Sequence, residues 1–142
     1  MSTKKVSSSK TTQTGTTKSW GTRESYTPDV TFVCALFDGR QTGILHSAGI
    51  YSPEWADRLY RGIERNYNGK FHFICLVDQN YSFKEPIEAV RFNRSVDQYG
   101  WMSLMEIYRP DLCSGKRMTL GLDTIITGPI DDIVDYDAKI AL

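Results

Sequence analysis

The sequence predicts an α/β protein, with a Rossmann-like, mostly parallel sheet and flanking helices. Three observations carry this expectation. Residues 30–37 and 71–77 are near-continuous apolar runs with the β-branched and aromatic content of strands covered on both faces. Between them lies an amphipathic stretch opened by clear helix-start signals. After them, shorter strand and helix signals alternate, and that alternation is what a layered parallel sheet requires.

Each element follows from local chemistry. Residues 1–28 are rich in Ser, Thr and Lys and nearly devoid of apolar side chains, so they cannot offset the entropy of ordering and are expected to form a disordered tail. The lysines Lys4, Lys5, Lys10 and Lys18 are diluted by hydroxyl residues, which favours a solubilising tail over an acid-binding one. The folded domain is expected over residues 29–142. The first strand, residues 30–37, leads into a loop over residues 38–51 punctuated by Gly39, Gly43 and Gly49. A helix then starts with Ser52 as N-cap, Pro53 at the first helical position and Glu54 in the first turn. Trp55, Leu59 and Ile63 recur at i, i+4 and i+8 as its buried face, and Asn68-Gly69 ends it. The second strand, residues 71–77, closes on Asp78. A polar loop with Pro86, a short strand over residues 87–92 and a further loop lead to Gly100. Residues 101–108 read as a two-turn amphipathic helix stopped by Arg109-Pro110. Residues 117–122 read as a buried strand that delivers Asp123 at its carboxyl end, and Asp131-Asp132-Ile133 opens a short final element. No internal repeat is present.

Bulk properties narrow the function classes. A chain of 142 residues supports one core and no second sizeable domain. Seventeen basic residues balance seventeen acidic ones and the pI is about 6.7, so no global field draws nucleic acid or an anionic membrane. No apolar run approaches the ~20 residues of a membrane span, and the amino terminus lacks the apolar core of a signal peptide, so a cytoplasmic protein is expected. Cys34 and Cys75 fall inside apolar runs as reduced, buried thiols. With Cys113 and only His46 and His72 besides, the spacing offers no zinc site.

Asp78 and Asp123 both end expected strands, and ligands of open α/β sheets bind outside the carboxyl ends of strands. An aspartate there also has a structural use, capping a turn or the next helix. At Asp123 the balance favours function, because Gly121 leaves space beside it and Gly128-Pro129 closes the segment sharply. Trp101 follows Gly100 and precedes Ser103; it is suited either to the core or to the wall of a ligand crevice. The loop 38–51 followed by a helix start could cradle a phosphate, but it has neither the Gly-x-Gly-x-x-Gly fingerprint nor a Walker lysine-serine pair. Two histidines, neither near a nucleophile, give no catalytic triad.

At these residues the chain resembles a family. Tyr51-Ser52-Pro53-Glu54-Trp55, Arg65-Asn66, Phe73-Ile74-Cys75-Leu76-Val77-Asp78, Gly100-Trp101, Ser103, Glu106-Ile107-Tyr108-Arg109-Pro110 and Leu122-Asp123-Thr124-Ile125-Ile126-Thr127-Gly128 stand in the order and spacing of the amino-terminal half of a GT-A-type glycosyltransferase, of the kind found in bacteria and their phages. The likeness runs from about residue 29 to 133. It implies a Rossmann-like half that binds a nucleotide-sugar donor. Its acidic motif, usually Asp-x-Asp, would hold Mn²⁺ or Mg²⁺ on the donor diphosphate. By the resemblance Asp123 is the metal ligand, Gly121 occupies the position of the first acidic residue, Asp78 faces the nucleoside, and Trp101 and Ser103 line the donor site.

The chain departs from that pattern in three places. Gly121 stands where the first Asp is usual, and losing a charged hydrogen-bond partner costs about 1.5–3 kcal/mol, or roughly ten- to hundredfold in affinity. Trp101-Met102-Ser103-Leu104 stands where relatives commonly have Trp-Trp-Ser-Lys, so Leu104 offers no cation for a phosphate. The resemblance also leads one to expect about a hundred further residues forming the acceptor-binding half, which a two-lobed site needs. Three expectations follow. The first is a transferase that is a fragment, a minimal form, or a protein whose acceptor site a second chain completes. The second is an inactive donor-binding or structural remnant, such as a phage or virion component acting in the host cytoplasm. The third is an unrelated α/β binding module. No catalytic base, acceptor or sugar is legible.

Overall fold

The computed structural model describes residues 27–38 and 51–137. The tail at residues 1–26, the glycine-rich part of the loop at residues 39–50 and residues 138–142 lie outside it, and so do the expectations of a disordered tail and of a phosphate cradle in that loop.

Strands β1 (Val30–Leu36), β2 (Phe71–Val77), β3 (Glu88–Arg91) and β4 (Arg117–Thr119) form one all-parallel sheet in the order β3-β2-β1-β4. The two apolar runs are its central pair, matched residue for residue from Val30 opposite Phe71 to Leu36 opposite Val77. A strand flanked on both sides has both faces to bury, and here alternate residues do so in opposite directions. Val30, Phe32, Cys34 and Leu36 join Phe73, Cys75 and Val77 in one cluster with Ala56, Leu59 and Ile63 of helix α1 (Pro53–Asn66). Thr31, Val33, Ile74 and Leu76, on the alternate positions, are also buried. Each fully buried Phe, Ile or Leu contributes about 1.5–3 kcal/mol, so the central pair and α1 hold most of the fold together.

The α1 helix starts at Pro53 with Ser52 as N-cap, although the Ser52 side chain makes no capping hydrogen bond. It ends at Asn66. Tyr67, in an extended conformation, is the C-cap, so Asn68-Gly69 lies beyond the end of the helix. The buried face is Ala56, Asp57, Leu59, Gly62 and Ile63; Trp55, expected on it, is half-buried against Tyr51.

Two elements differ from expectation. The region 101–108 is a 3-10 helix, Gly100–Tyr108, preceded by a single α-helical turn, α2 (Val96–Tyr99), where a loop was expected. Gly100 takes a positive φ of 53° between them, a conformation open to glycine that breaks the α-helical run. The last strand is three residues long rather than six. Leu120 N–H still donates to Val33 O, but Thr124 N–H then closes a turn on Gly121 O, which takes the chain out of the sheet. Asp123 therefore stands in that turn, four residues past Thr119, and not at the end of a strand. The short helix α3 (Asp131–Asp135) follows, tied to the end of α1 where Ile130 N–H donates to Asn66 O.

Candidate functional site

The strand order sets where a ligand can sit. From β1 the chain passes through α1 to β2 and on to β3 at one edge, then crosses to β4 on the far side of β1. The crossover directions reverse between β1 and β4, and the crevice outside their carboxyl ends is the switch point at which open α/β sheets bind ligands. Phe37 and Asp38 follow β1 there, and Leu120–Asp123 follows β4.

Asp123 is exposed. Its Oδ2 accepts a hydrogen bond from the Tyr51 hydroxyl at 3.1 Å. Partial burial and the Asp123 carboxylate both push the Tyr51 hydroxyl above the ordinary tyrosine range, so it remains a donor. The Tyr51 ring stands edge-on to Trp55 at 5.3 Å, and the Arg58 guanidinium lies over Trp55 at 5.7 Å. Gly121 is turned toward the same carboxylate: a Cβ there would come within 3.1 Å of Asp123 Oδ1. Residue 121 and Asp123 therefore face one small space, which an acidic side chain at 121 would share.

A second group of carboxylates gathers beside β2. Asp78 follows Val77, and its Oδ2 accepts from the backbone N–H of Asp38 at 3.0 Å, bridging the ends of the central strands. Its Oδ1 is buried without a hydrogen-bond partner among the described residues. A buried carboxylate oxygen left unpaired costs about 1–3 kcal/mol, which makes it a good acceptor for an incoming donor. The Tyr81 hydroxyl nearby is raised by burial against the opposing bond from Gln79, with the charges of Asp78 and Asp38 adding to the rise. A cleft of about 240 Å³ opens here, walled by Asp78, Gln79, Phe92, Asn93, Arg94 and Asp97.

Trp101 is half-exposed and stands edge-on to Phe37 at 5.7 Å, while Phe37 meets Phe92 at 5.9 Å. This aromatic row lies directly after β1. Ser103, by contrast, is 1% exposed and its Oγ has no partner among the described residues. It sits inside the fold and presents nothing to solvent. Leu104, three residues beyond Trp101, is half-buried. Thus Asp123, Gly121 and Tyr51 form one cluster and Asp78, Asp38 and Tyr81 another, with Trp101 attached to the end of β1 and Ser103 apart in the interior.

Sequence reasoning missed Asp38, Tyr51, Tyr81 and Glu106. Asp38 carries the same signal as Asp78, an acid ending a buried apolar run. Glu106 was a lone acid in the apolar stretch 101–107. It is buried, and Oε2 and Oε1 accept from the backbone N–H groups of Asn93 and Arg94 at 2.7 and 2.8 Å. Arg109 Nη1 donates to it at 3.0 Å. Burial pushes this carboxyl up, but the two amides and the guanidinium outweigh that and hold it below the ordinary range.

For a metal, the donor set is thin. Among the described residues, no three or more His, Cys, Asp or Glu side chains gather as a preformed cation site. One exposed carboxylate fits a cation that keeps most of its waters and arrives on phosphate oxygens, as Mg²⁺ does. It does not fit a cation held by protein alone. No helix of the described residues is long and apolar enough to cross a membrane. Compared with protein-family models, curated proteins and solved structures, the chain finds no match.

Proposed function

We propose that this chain binds a nucleotide-sugar donor at the switch point of its sheet, as the nucleotide-binding half of a GT-A-like glycosyltransferase. The observation that carries the reading is the pair of acidic clusters at the carboxyl side of the sheet: an exposed, singly bonded Asp123 beyond β4 and an under-satisfied Asp78 after β2. In this reading Asp78 accepts from the nucleoside, Trp101 and Tyr51 wall the crevice, and Asp123 holds Mn²⁺ or Mg²⁺ on the diphosphate. The metal supplies an offset to the negative charge that grows on the departing nucleotide. The acceptor and its base belong to a partner or segment other than the described residues.

A donor-binding remnant without turnover is the second reading, and Gly121 favours it. A side chain at 121 would press on Asp123 Oδ1, 3.1 Å from its Cβ, and with glycine there Asp123 has no second carboxylate beside it to tighten the metal. Thermal unfolding with UDP, GDP and CDP and their sugars, with and without Mn²⁺, tests the proposal. Saturation to ~100 times Kd stabilises the native state by ~2.7 kcal/mol, a rise of about 10 °C in midpoint for a domain of this size. The expected result is a rise that needs both metal and one nucleotide and disappears in Asp123→Ala. No rise with any pair overturns the reading. Release of free nucleotide from the bound sugar then separates transferase from remnant.

A further inference from the structure

Asp57 and Glu106 tie down two turns in the same way. Each is a buried carboxylate that accepts from two consecutive backbone amides. Asp57 Oδ1 takes those of Lys84 and Glu85, both at 3.0 Å, and Glu106 takes those of Asn93 and Arg94 at 2.7 and 2.8 Å. The turns differ in what they border. Asn93 and Arg94 stand in the wall of the cleft that Asp78 also lines, and Lys84 and Glu85 do not. The cleft wall also lies beyond the reach of the sheet. β3 is an edge strand, and once Phe92 N–H has donated to Val77 O at 3.2 Å the backbone leaves its only partner. Buried amides past that point need acceptors from elsewhere, and Glu106 of the 3-10 helix supplies them. Arg109 completes the tie. Its Nη1 donates to Glu106 Oε2 at 3.0 Å and to the carbonyl of Arg91, the last residue of β3, at 3.1 Å.

We infer that Glu106 and Arg109 are positioning residues for the donor: they fix the Asn93–Arg94 wall relative to Asp78 and so set the affinity of the cleft for the nucleoside and the choice among nucleosides. The inference rests on the reading that Asp78 accepts from the nucleoside. Neither residue touches the donor itself, because both Glu106 oxygens are already taken by the fold. They act through the wall. Asp78 Oδ1 is a buried acceptor with no partner among the described residues, and one acceptor selects a ligand only when the surface opposite it is held as well. The Arg94 guanidinium rests over the Tyr99 ring at 5.3 Å, so its direction follows from the turn and from α2, which begins two residues later. A wall ordered before contact loses little freedom on binding. Without Glu106 the ligand itself must order Asn93 and Arg94, at a cost of about tenfold in affinity. The metal side of the site is held separately, Asp123 by Tyr51.

Calorimetric titration of the full chain with UDP, GDP and CDP at saturating Mn²⁺ tests it, at a temperature where circular dichroism shows each variant folded. Glu106→Gln is expected to raise Kd for the preferred nucleotide about tenfold and to narrow the preference among the three, while binding still needs Mn²⁺. Arg109→Lys keeps the charge but gives up the planar fork, so it shifts both in the same direction by less, and it carries the test if Glu106→Gln does not fold. Asp57→Ala is the control. It removes the equivalent tie from a turn outside the cleft, so it lowers stability and leaves Kd and preference at their wild-type values. Wild-type Kd in the Glu106 and Arg109 variants, an unchanged preference, or an equal loss in Asp57→Ala overturns the positioning role and leaves the donor site standing. A wild-type chain that binds none of the three nucleotides overturns the donor reading, and this inference with it.

Discussion

Glu106 and Asp123 are both single carboxylates on the segments that follow the strands, and their surroundings are opposite. Glu106 is buried and takes two backbone amides and a guanidinium, all within 3.0 Å. Asp123 is exposed and takes one tyrosine hydroxyl at 3.1 Å. Amides of the surrounding fold consume a carboxylate's lone pairs on structure. One hydroxyl on a half-buried ring leaves most of them available. The contrast separates an acid that builds the site from an acid that can act in it, and it does so without reference to any relative.

The sharpest way to break the comparison is Glu106→Gln. The replacement keeps the shape but presents an NH₂ to one of three donors and removes the charge that Arg109 faces. Breaking one partner of a buried, hydrogen-bonded charge pair costs about 3 kcal/mol, and urea denaturation should show that loss with an unchanged slope. A loss under ~1 kcal/mol would mean that the Asn93–Arg94 turn stands without it.

The second test uses pH. The Glu106 carboxyl lies lower in the folded protein than in the unfolded chain, so the unfolded chain takes up this proton first as pH falls. Its contribution is therefore fully present above the unfolded value of ~4.3 and is lost as pH drops through the folded one. Asp111, held low by Arg109, adds to the same trend. Wild type should lose stability steadily below about pH 5, and Glu106→Gln should lose less over the same interval. Parallel curves for the two proteins would show that Glu106 does not carry this dependence.

These residues also show what could be read from the chain alone. The central strands, α1 and the parallel order were legible because burial on two faces writes itself as unbroken apolar runs, and Ser52-Pro53-Glu54 marks a helix start by sterics and orphan amides alone. Periodicity served less well at 101–108. Eight residues fit a period of 3.6 and of 3.0 nearly alike, and what decided was the positive φ at Gly100 and the anchoring of Glu106 by a turn some twelve residues earlier in the chain. The end of β4 is not legible in the sequence, because Leu120, Gly121 and Leu122 continue the apolar pattern while the turn that takes the chain out of the sheet is made by the backbone bond from Thr124 N–H to Gly121 O. The pairing of Tyr51 with Asp123 spans 72 residues, and no local signal encodes it.

The smallest expected effect belongs to Tyr51→Phe, and it bears most directly on Asp123. The change removes only the hydroxyl, leaving the ring against Trp55 and therefore the packing that positions it. A hydrogen bond to an exposed carboxylate competes with water at little net gain, so a stability change of about 0.5 kcal/mol or less is expected. The released Asp123 Oδ2 should then favour a cation over its former donor, so any nucleotide-dependent rise in midpoint should need less Mn²⁺ in this variant than in wild type. A stability loss as large as that of Glu106→Gln would place Tyr51 and Asp123 among the fold's structural ties. Asp123 would then be an acid already used, and the difference between the two carboxylates would lie only in their exposure.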